Sequence, residues 1–284
     1  MYRILSKETV GPAIREYIVE APEVARAARP GQFLVIRLHE DGERIPLTIV
    51  DTDDATGGIT VVVQEVGKTT LEMGDRFGVG DGILDVVGPL GEASEIERFG
   101  TVICVGGGVG IAPLFPIARA LREAGNRVIG IIGARSQEHL FYEEPMRNAC
   151  DELHVMTDDG SAGDRGFVSD KLREILESGL SVDRVWAIGP AIMMKVCAET
   201  TRPFGVKTIV SINSVMIDGT GMCGGCRVEV AGAAKFACVD GPEFDAHEVN
   251  FDLLMSRQAL YCEDEACSLE RYKMRNPVGE ERDQ

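Results

Sequence analysis

Between residue 99 and about residue 212 the chain follows one rule of organisation, and that rule restricts the fold more than any other feature. Five apolar, β-rich runs at 101–105, 128–132, 153–157, 185–188 and 207–212 alternate with stretches of helical periodicity at 113–124, 170–178 and 191–200. Such alternation predicts a parallel, doubly wound sheet, because parallel neighbours need a crossover long enough to carry a helix. The first helix is expected to end at Gly125, and the second to start after Ser169 as N-cap and stop at Gly179. Each of four strands runs into an unusual segment. These are Gly106-Gly107-Gly108-Val109-Gly110, Gly133-Ala134-Arg135-Ser136, Thr157-Asp158-Asp159-Gly160-Ser161 and Gly189-Pro190. Open α/β sheets bind ligands at the carboxyl ends of their strands, which is where all four would lie.

The flanking regions obey other rules. Residues 1–98 show short β-rich runs, such as 33–38 and 59–63, separated by turn clusters such as 53–58, and predict a small antiparallel β-barrel. Residues 213–250 are glycine- and cysteine-rich, and 251–284 read as a helix around 251–260 followed by a charged tail. A chain of 284 residues is long enough for two or three cores. No apolar run reaches membrane-spanning length, and the first ten residues read as a strand and not a leader, so a cytoplasmic protein is expected. The net charge of −17 disfavours nucleic acid and anionic membranes as partners.

Eight cysteines without a leader point to metal or redox use before a disulfide framework. Asp218, Cys223, Cys226 and Cys238 carry the spacing Asp-x4-Cys-x2-Cys-x11-Cys, the plant-type [2Fe–2S] ligand spacing with Asp in place of the first Cys. Soft thiolates suit iron–sulfur bonding, and Gly219, Gly221, Gly224 and Gly225 let the backbone wrap and aim N–H groups inward. A zinc site pairing Cys223 and Cys226 with Cys262 and Cys267 is the competing assignment. Cys104 and Cys197 read as buried small hydrophobes, and the four histidines form no ligand spacing.

In the barrel, Arg44-Ile45-Pro46-Leu47-Thr48 offers a guanidinium for a pyrophosphate, with Pro46, Leu47 and Thr48 beside a flavin ring. Gly67-Lys68-Thr69-Thr70 lacks the first P-loop glycine, since Val62 stands there, yet Gly67, Thr69 and Thr70 remain candidate phosphate contacts. The run at 106–110 likewise misses the Rossmann pattern, because Ile111 holds the third glycine position. A different dinucleotide site is expected, with Gly107, Gly108 and Gly110 near a helix start and Arg135, Asp158, Asp159, Gly189 and Pro190 around it. Asp158 and Asp159 serve equally well as a ribose contact or a solvated turn.

Together Arg44–Thr48, Gly88-Pro89-Leu90-Gly91, the 106–113 and 157–161 segments, Gly189-Pro190 and the 218–238 segment resemble the ferredoxin–NADP reductase superfamily, in its iron–sulfur branch. The resemblance implies FAD in the barrel (1–98), a pyridine nucleotide on the α/β domain (99–212) and a [2Fe–2S] cluster in 213–250. It also implies a larger flavoprotein or iron–sulfur partner subunit in a heterodimer, which ferredoxin meets indirectly. Asp218 favours the NADH-dependent ferredoxin:NADP oxidoreductases, which bifurcate electrons, over the four-Cys electron-transfer subunits of dihydroorotate dehydrogenase. Ile188 stands where many members carry Cys, so no thiol role in hydride transfer is expected. The family likeness favours NAD(H); Arg135 keeps NADP(H) open. A zinc-stabilised, nucleotide-binding redox sensor is the alternative of another class.

Overall fold

The computed structural model describes residues 1–276. Its first part contains β1 (Tyr2–Gly11), β2 (Ile14–Glu20), α1 (Pro22–Ala27), β3 (Phe33–Arg37), β4 (Arg44–Thr48), β5 (Asp51–Asp53), β6 (Gly58–Gln64), α2 (Lys68–Arg76), β7 (Gly82–Ile83) and β8 (Asp85–Leu90). The strands form two antiparallel sheets, β5-β6-β2-β1-β7 and β4-β3-β8. The barrel is therefore split, with Ile4, Tyr17, Val61 and Val63 of one sheet sharing a core with Leu34, Ile36 and Val86 of the other.

An all-β reading of this part misses α1 and α2. Helix α2 buries Thr69, Glu72 and Met73, so its inner face is mostly polar and leaves little apolar periodicity to see. Its polar groups are satisfied instead: Glu72 pairs with Arg76 at 3.5 Å and His39 at 3.3 Å. The Gly67 segment thus follows a strand and opens a helix, contrary to the all-β expectation for residues 1–98.

The second part alternates as the periodicity predicts. It runs β9 (Thr101–Gly107), α3 (Ile111–Glu123), β10 (Arg127–Ala134), α4 (Glu143–Ala149), β11 (Glu152–Thr157), β12 (Asp164–Arg165), α5 (Val168–Glu177), β13 (Arg184–Ile188), α6 (Ala191–Thr201) and β14 (Lys207–Ser211). Alternate residues of β9 face opposite layers. Ile103 and Val105 pack with Leu172 of α5 and Cys197 of α6, whereas Val102 and Cys104 pack with Leu114 and Ile117 of α3. The N-cap of α5 is Phe167, not Ser169: the Asp170 carboxylate accepts the Phe167 N–H at 3.0 Å, which fixes the start earlier.

The last part contains β15 (Arg227–Val230), β16 (Ala233–Phe236), β17 (Glu243–Asp245), α7 (Phe251–Gln258), a 3-10 turn at Ala259–Tyr261 and α8 (Cys262–Arg275). Strand β17 adds antiparallel to β14 and completes the order β12-β11-β10-β9-β13-β14-β17. Cys226, Val228, Cys238 and Phe244 share one core with the α5/α6 face of the sheet and with Phe33 and Val35 of β3. The charged tail is mostly the helix α8; its last expected residues, 277–284, lie outside the described residues. Helix α8 returns to α2, where Tyr272 is buried under Arg76 at 5.7 Å from its ring centroid, and Arg76 hydrogen-bonds Asn276.

Candidate functional site

A cleft of about 260 Å³ lies where all three parts meet. The barrel contributes Phe33, Pro46, Leu47, Thr48 and Thr70; the parallel sheet contributes Val109, Gly110, Ile188 and Gly189; the last part contributes Asn213, Met216 and Pro242. On β4, Pro46 and Thr48 share a face with Arg44, while Ile45 and Leu47 lean on the barrel core. Arg44 is exposed and makes no hydrogen bond or ion pair among the described residues, so its guanidinium is available to an anion. Helix α2 opens beside the cleft, and the first N–H groups of a helix have no intrahelical acceptor. Thr70 Oγ1 accepts the Gly67 N–H at 3.0 Å, whereas Thr69 Oγ1 donates to Glu43 at 2.5 Å and does not line the cleft.

The sheet presents its switch point to the same cleft. After β9 the chain turns to α3 on one face; after β13 it turns to α6 on the other, and the crevice between adjacent strands opens there. Helix α3 starts so close to β13 that a Cβ on Gly110 would lie 2.4 Å from the Ile188 carbonyl oxygen. Gly107, Gly108 and Pro190 adjoin these residues without lining the cleft. Arg135, Asp158 and Asp159 sit farther along the carboxyl edge, with the Asp159 N–H donating to the Arg135 carbonyl at 3.3 Å. The Asp159 carboxylate accepts both the hydroxyl and the N–H of Ser161, which hold its pKa below the usual value.

The cysteine-rich segment places its four candidate ligands in two separate pairs, and among the described residues no three His, Cys, Asp or Glu side chains converge as a metal site. Asp218 Oδ1 lies 3.4 Å from Cys223 Sγ, and Cys226 Sγ lies 3.2 Å from Cys238 Sγ. The Asp218 carboxylate accepts N–H groups from Thr220 at 3.1 Å and Cys223 at 3.0 Å; the Thr220 contact leads in holding its pKa down. Burial and the neighbouring Cys226 push the Cys238 thiol up to about 12 in the absence of metal. Two pairs of anionic donors suit two irons. The zinc set does not assemble, because Cys226 turns to Cys238 while Cys262 Sγ is exposed beside the Gln258 carbonyl at 3.6 Å. Cys104 and Cys197 are fully buried, as expected, and burial raises the Cys197 thiol to about 12.

Sequence reasoning missed Asn213, Met216 and Pro242 as cleft residues. They are ordinary side chains of the last part of the chain, and no local pattern marks them. Glu243 was missed too: its carboxylate accepts Ser94 Oγ at 2.6 Å and Trp186 Nε1 at 3.3 Å, tying β17 to the linker before β9 and to β13.

The fold and these sites define a modular oxidoreductase subunit with a split flavin-type barrel, a nucleotide sheet and an iron–sulfur segment. The family profile for the iron–sulfur cluster binding domain of dihydroorotate dehydrogenase B matches residues 213–250, and that for the oxidoreductase NAD-binding domain matches 104–199. A homologue of the dihydroorotate dehydrogenase B electron-transfer subunit from Thermotoga maritima is 51% identical, over 95% of this chain and 94% of that protein. The corresponding subunit of Shouchella clausii is 34% identical, over 82% of this chain and 91% of its own length. Among solved structures, a chain of an NADH-dependent reduced ferredoxin–NADP oxidoreductase, described for flavin-based electron bifurcation, superposes with a TM-score of 0.90. It is 50% identical and covers 96% of this chain and 98% of that one. Phthalate dioxygenase reductase, at 19% identity and a TM-score of 0.59, shares the fold. The chain belongs to the family of dihydroorotate dehydrogenase B electron-transfer subunits and their homologues, within the ferredoxin–NADP reductase superfamily.

Proposed function

We propose that this chain is the electron-transfer subunit of a cytoplasmic NADH-dependent ferredoxin:NADP oxidoreductase, working in a heterodimer with a larger flavoprotein partner. The cleft carries the proposal, because barrel, nucleotide edge and cluster segment all contribute to its wall. When bound, FAD exchanges an electron pair with a nicotinamide and single electrons with a [2Fe–2S] cluster. The chain's own residues position and insulate. Arg44 would neutralise the flavin pyrophosphate together with the N–H groups of Thr69 and Thr70 in the first turn of α2; the N–H of its N-cap Gly67 is taken by Thr70 Oγ1. Pro46, Leu47 and Thr48 seat the ring edge, and Phe33 and Met216 keep water from it. Gly107, Gly108, Gly110, Gly189 and Pro190 admit the nicotinamide end, while Arg135, Asp158 and Asp159 take the adenosine end, with NAD(H) preferred. Asp218 and Cys223 hold one iron; Cys226 and Cys238 hold the other.

Asp218 favours this reading, because the resemblance implies four Cys ligands in dihydroorotate dehydrogenase subunits and an Asp ligand in the ferredoxin:NADP oxidoreductases. The 50% identity to a chain of such an oxidoreductase supports it. The names of the curated relatives favour the second reading. Anaerobic purification with flavin, iron and acid-labile sulfide quantified tests both at once: flavin bands with two irons and two sulfides per chain are expected. Zinc without flavin defeats both readings. Co-purification with an orotate-forming dehydrogenase selects the second. Asp218→Cys is expected to keep a cluster whose midpoint potential, read by redox-monitored EPR, moves downward; an unchanged midpoint removes Asp218 from the ligand set.

A further inference from the structure

A second cavity, about 340 Å³, lies behind the cluster-bearing loop, between the 214–227 segment and the C-terminal helices. It is separate from the cleft just described, with no lining residue in common. We propose that this cavity binds a small organic anion, a carboxylate carrying an apolar body.

Three observations select that chemistry. First, Arg227 and Arg257 both line the cavity. Arg257 spends one N–H on the Gly225 carbonyl at 3.2 Å, and Arg227 makes no hydrogen bond or ion pair among the described residues. In a chain of net charge −17, two guanidiniums here face one lining carboxylate, that of Glu265. Guanidinium forks match carboxylates bidentately, and a site walled by apolar groups strengthens the contact. Second, Ser214 lines the cavity, is 8% exposed, and its buried Oγ has no hydrogen-bond partner among the described residues. A buried hydroxyl without a partner is unfavourable, and a ligand oxygen would satisfy it. Third, Ile217 and Leu260 on the wall are 52% and 63% exposed, and an apolar ligand body would cover them. The volume falls within the range of small-molecule sites, about 300–1,000 Å³.

The placement gives the ligand an electrical consequence, which rests on the cluster assignment proposed above. Ile217 precedes Asp218, and Gly225 and Arg227 flank Cys226. Reduction adds negative charge to the cluster, so an anion held on Arg227 and Arg257 opposes it and lowers the midpoint potential.

The test uses the cofactor-loaded full chain, with benzoate as probe and benzyl alcohol and inorganic phosphate as controls. Calorimetry is expected to show saturable benzoate binding, at least tenfold tighter than either control. Arg227→Gln, which breaks no hydrogen bond or ion pair among the described residues, is expected to weaken it tenfold or more; Arg257→Gln is expected to do the same. Redox-monitored EPR is expected to show a lower midpoint with benzoate in the parent chain and none of that shift in Arg227→Gln. Absence of saturable binding, or binding indifferent to both substitutions, overturns the proposal. Binding that vanishes when the larger subunit is present also overturns it, in favour of an acidic side chain of that subunit. Benzoate binding without any iron signal upholds the site and defeats the cluster assignment instead.

Discussion

The nucleotide edge and the cluster loop are both glycine-rich, yet they need glycine for opposite reasons. Gly110 has an ordinary helical backbone, and what forbids a side chain is the Ile188 carbonyl 2.4 Å from any Cβ. Gly224 has open surroundings, with Phe236 3.6 Å from a Cβ, but its φ of +67° is left-handed. The first glycine belongs to a site made by packing: strands buried on both faces bring the turns together whether or not a ligand is present. The second belongs to a site made by its ligand. Cys223 is exposed there, and the loop is held by Asp218 and a few N–H contacts. Metal binding supplies folding free energy to such segments.

Breaking the cluster should expose this difference most strongly. Cys226→Ser is expected to abolish the iron signal and to raise hydrogen exchange across 214–226, while exchange along β9, β10 and β13 stays at the parent level. Equal loss of protection in the sheet would show that the two sites fold as one. Gly110→Ala should do the reverse. Overpacking against the Ile188–Gly189 backbone sits at the upper end of the usual penalty, about 3 kcal/mol, with NADH affinity lost and the cluster spectrum retained. Urea unfolding and NADH titration read both effects, and a cost below about 1 kcal/mol would mean the turn yields easily. Gly224→Ala meets no such wall. Its cost is the left-handed backbone alone, about 1–2 kcal/mol, read as faster iron release to a chelator with NADH affinity unchanged.

The same division explains what could be read from the sequence. The five strands and three helices of 99–212 were legible because burial on alternate faces imposes a period, and the structure reproduces them within a few residues. The ligand segment was legible because metal chemistry fixes residue type and spacing. Helix α2 was hidden, since its buried face includes Thr69 and Glu72 and depends on His39 and Glu43 from another element. Helix α8 was hidden because it is almost wholly exposed and docks through Tyr272, so its charges resemble a tail. The cleft was half legible. Pro46, Leu47, Thr48 and the glycine turns announce themselves, whereas Met216 and Pro242 arrive only through β17 joining the sheet and the shared core beneath.

Two carboxylates sharpen the contrast at smaller scale, because their pH signatures have opposite sign. Burial raises the pKa of Glu243 on the sheet edge, outweighing the Ser94 and Trp186 hydrogen bonds that lower it. The native state then holds this proton more tightly than the unfolded chain, whose Glu titrates near roughly pH 4.3. Its contribution to stability is fully present below that pH and is lost as pH rises through the native pKa. Asp218 in the loop behaves inversely: hydrogen bonds from Thr220 and Cys223 lower its pKa, so its contribution exists above about pH 3.9 and fades as pH falls. Glu243→Gln removes one titration and keeps an acceptor for Ser94 and Trp186. The stability of the parent relative to Glu243→Gln should therefore fall as pH rises from roughly 4.3 and then level off. In the metal-free chain, Asp218→Asn should show the parent's relative stability rising with pH over roughly pH 3 to 5 instead. Urea unfolding of the metal-free full chain at successive pH values checks both slopes. Slopes of the same sign would mean that burial does not govern Glu243, and that the sheet edge is as open to solvent as the loop.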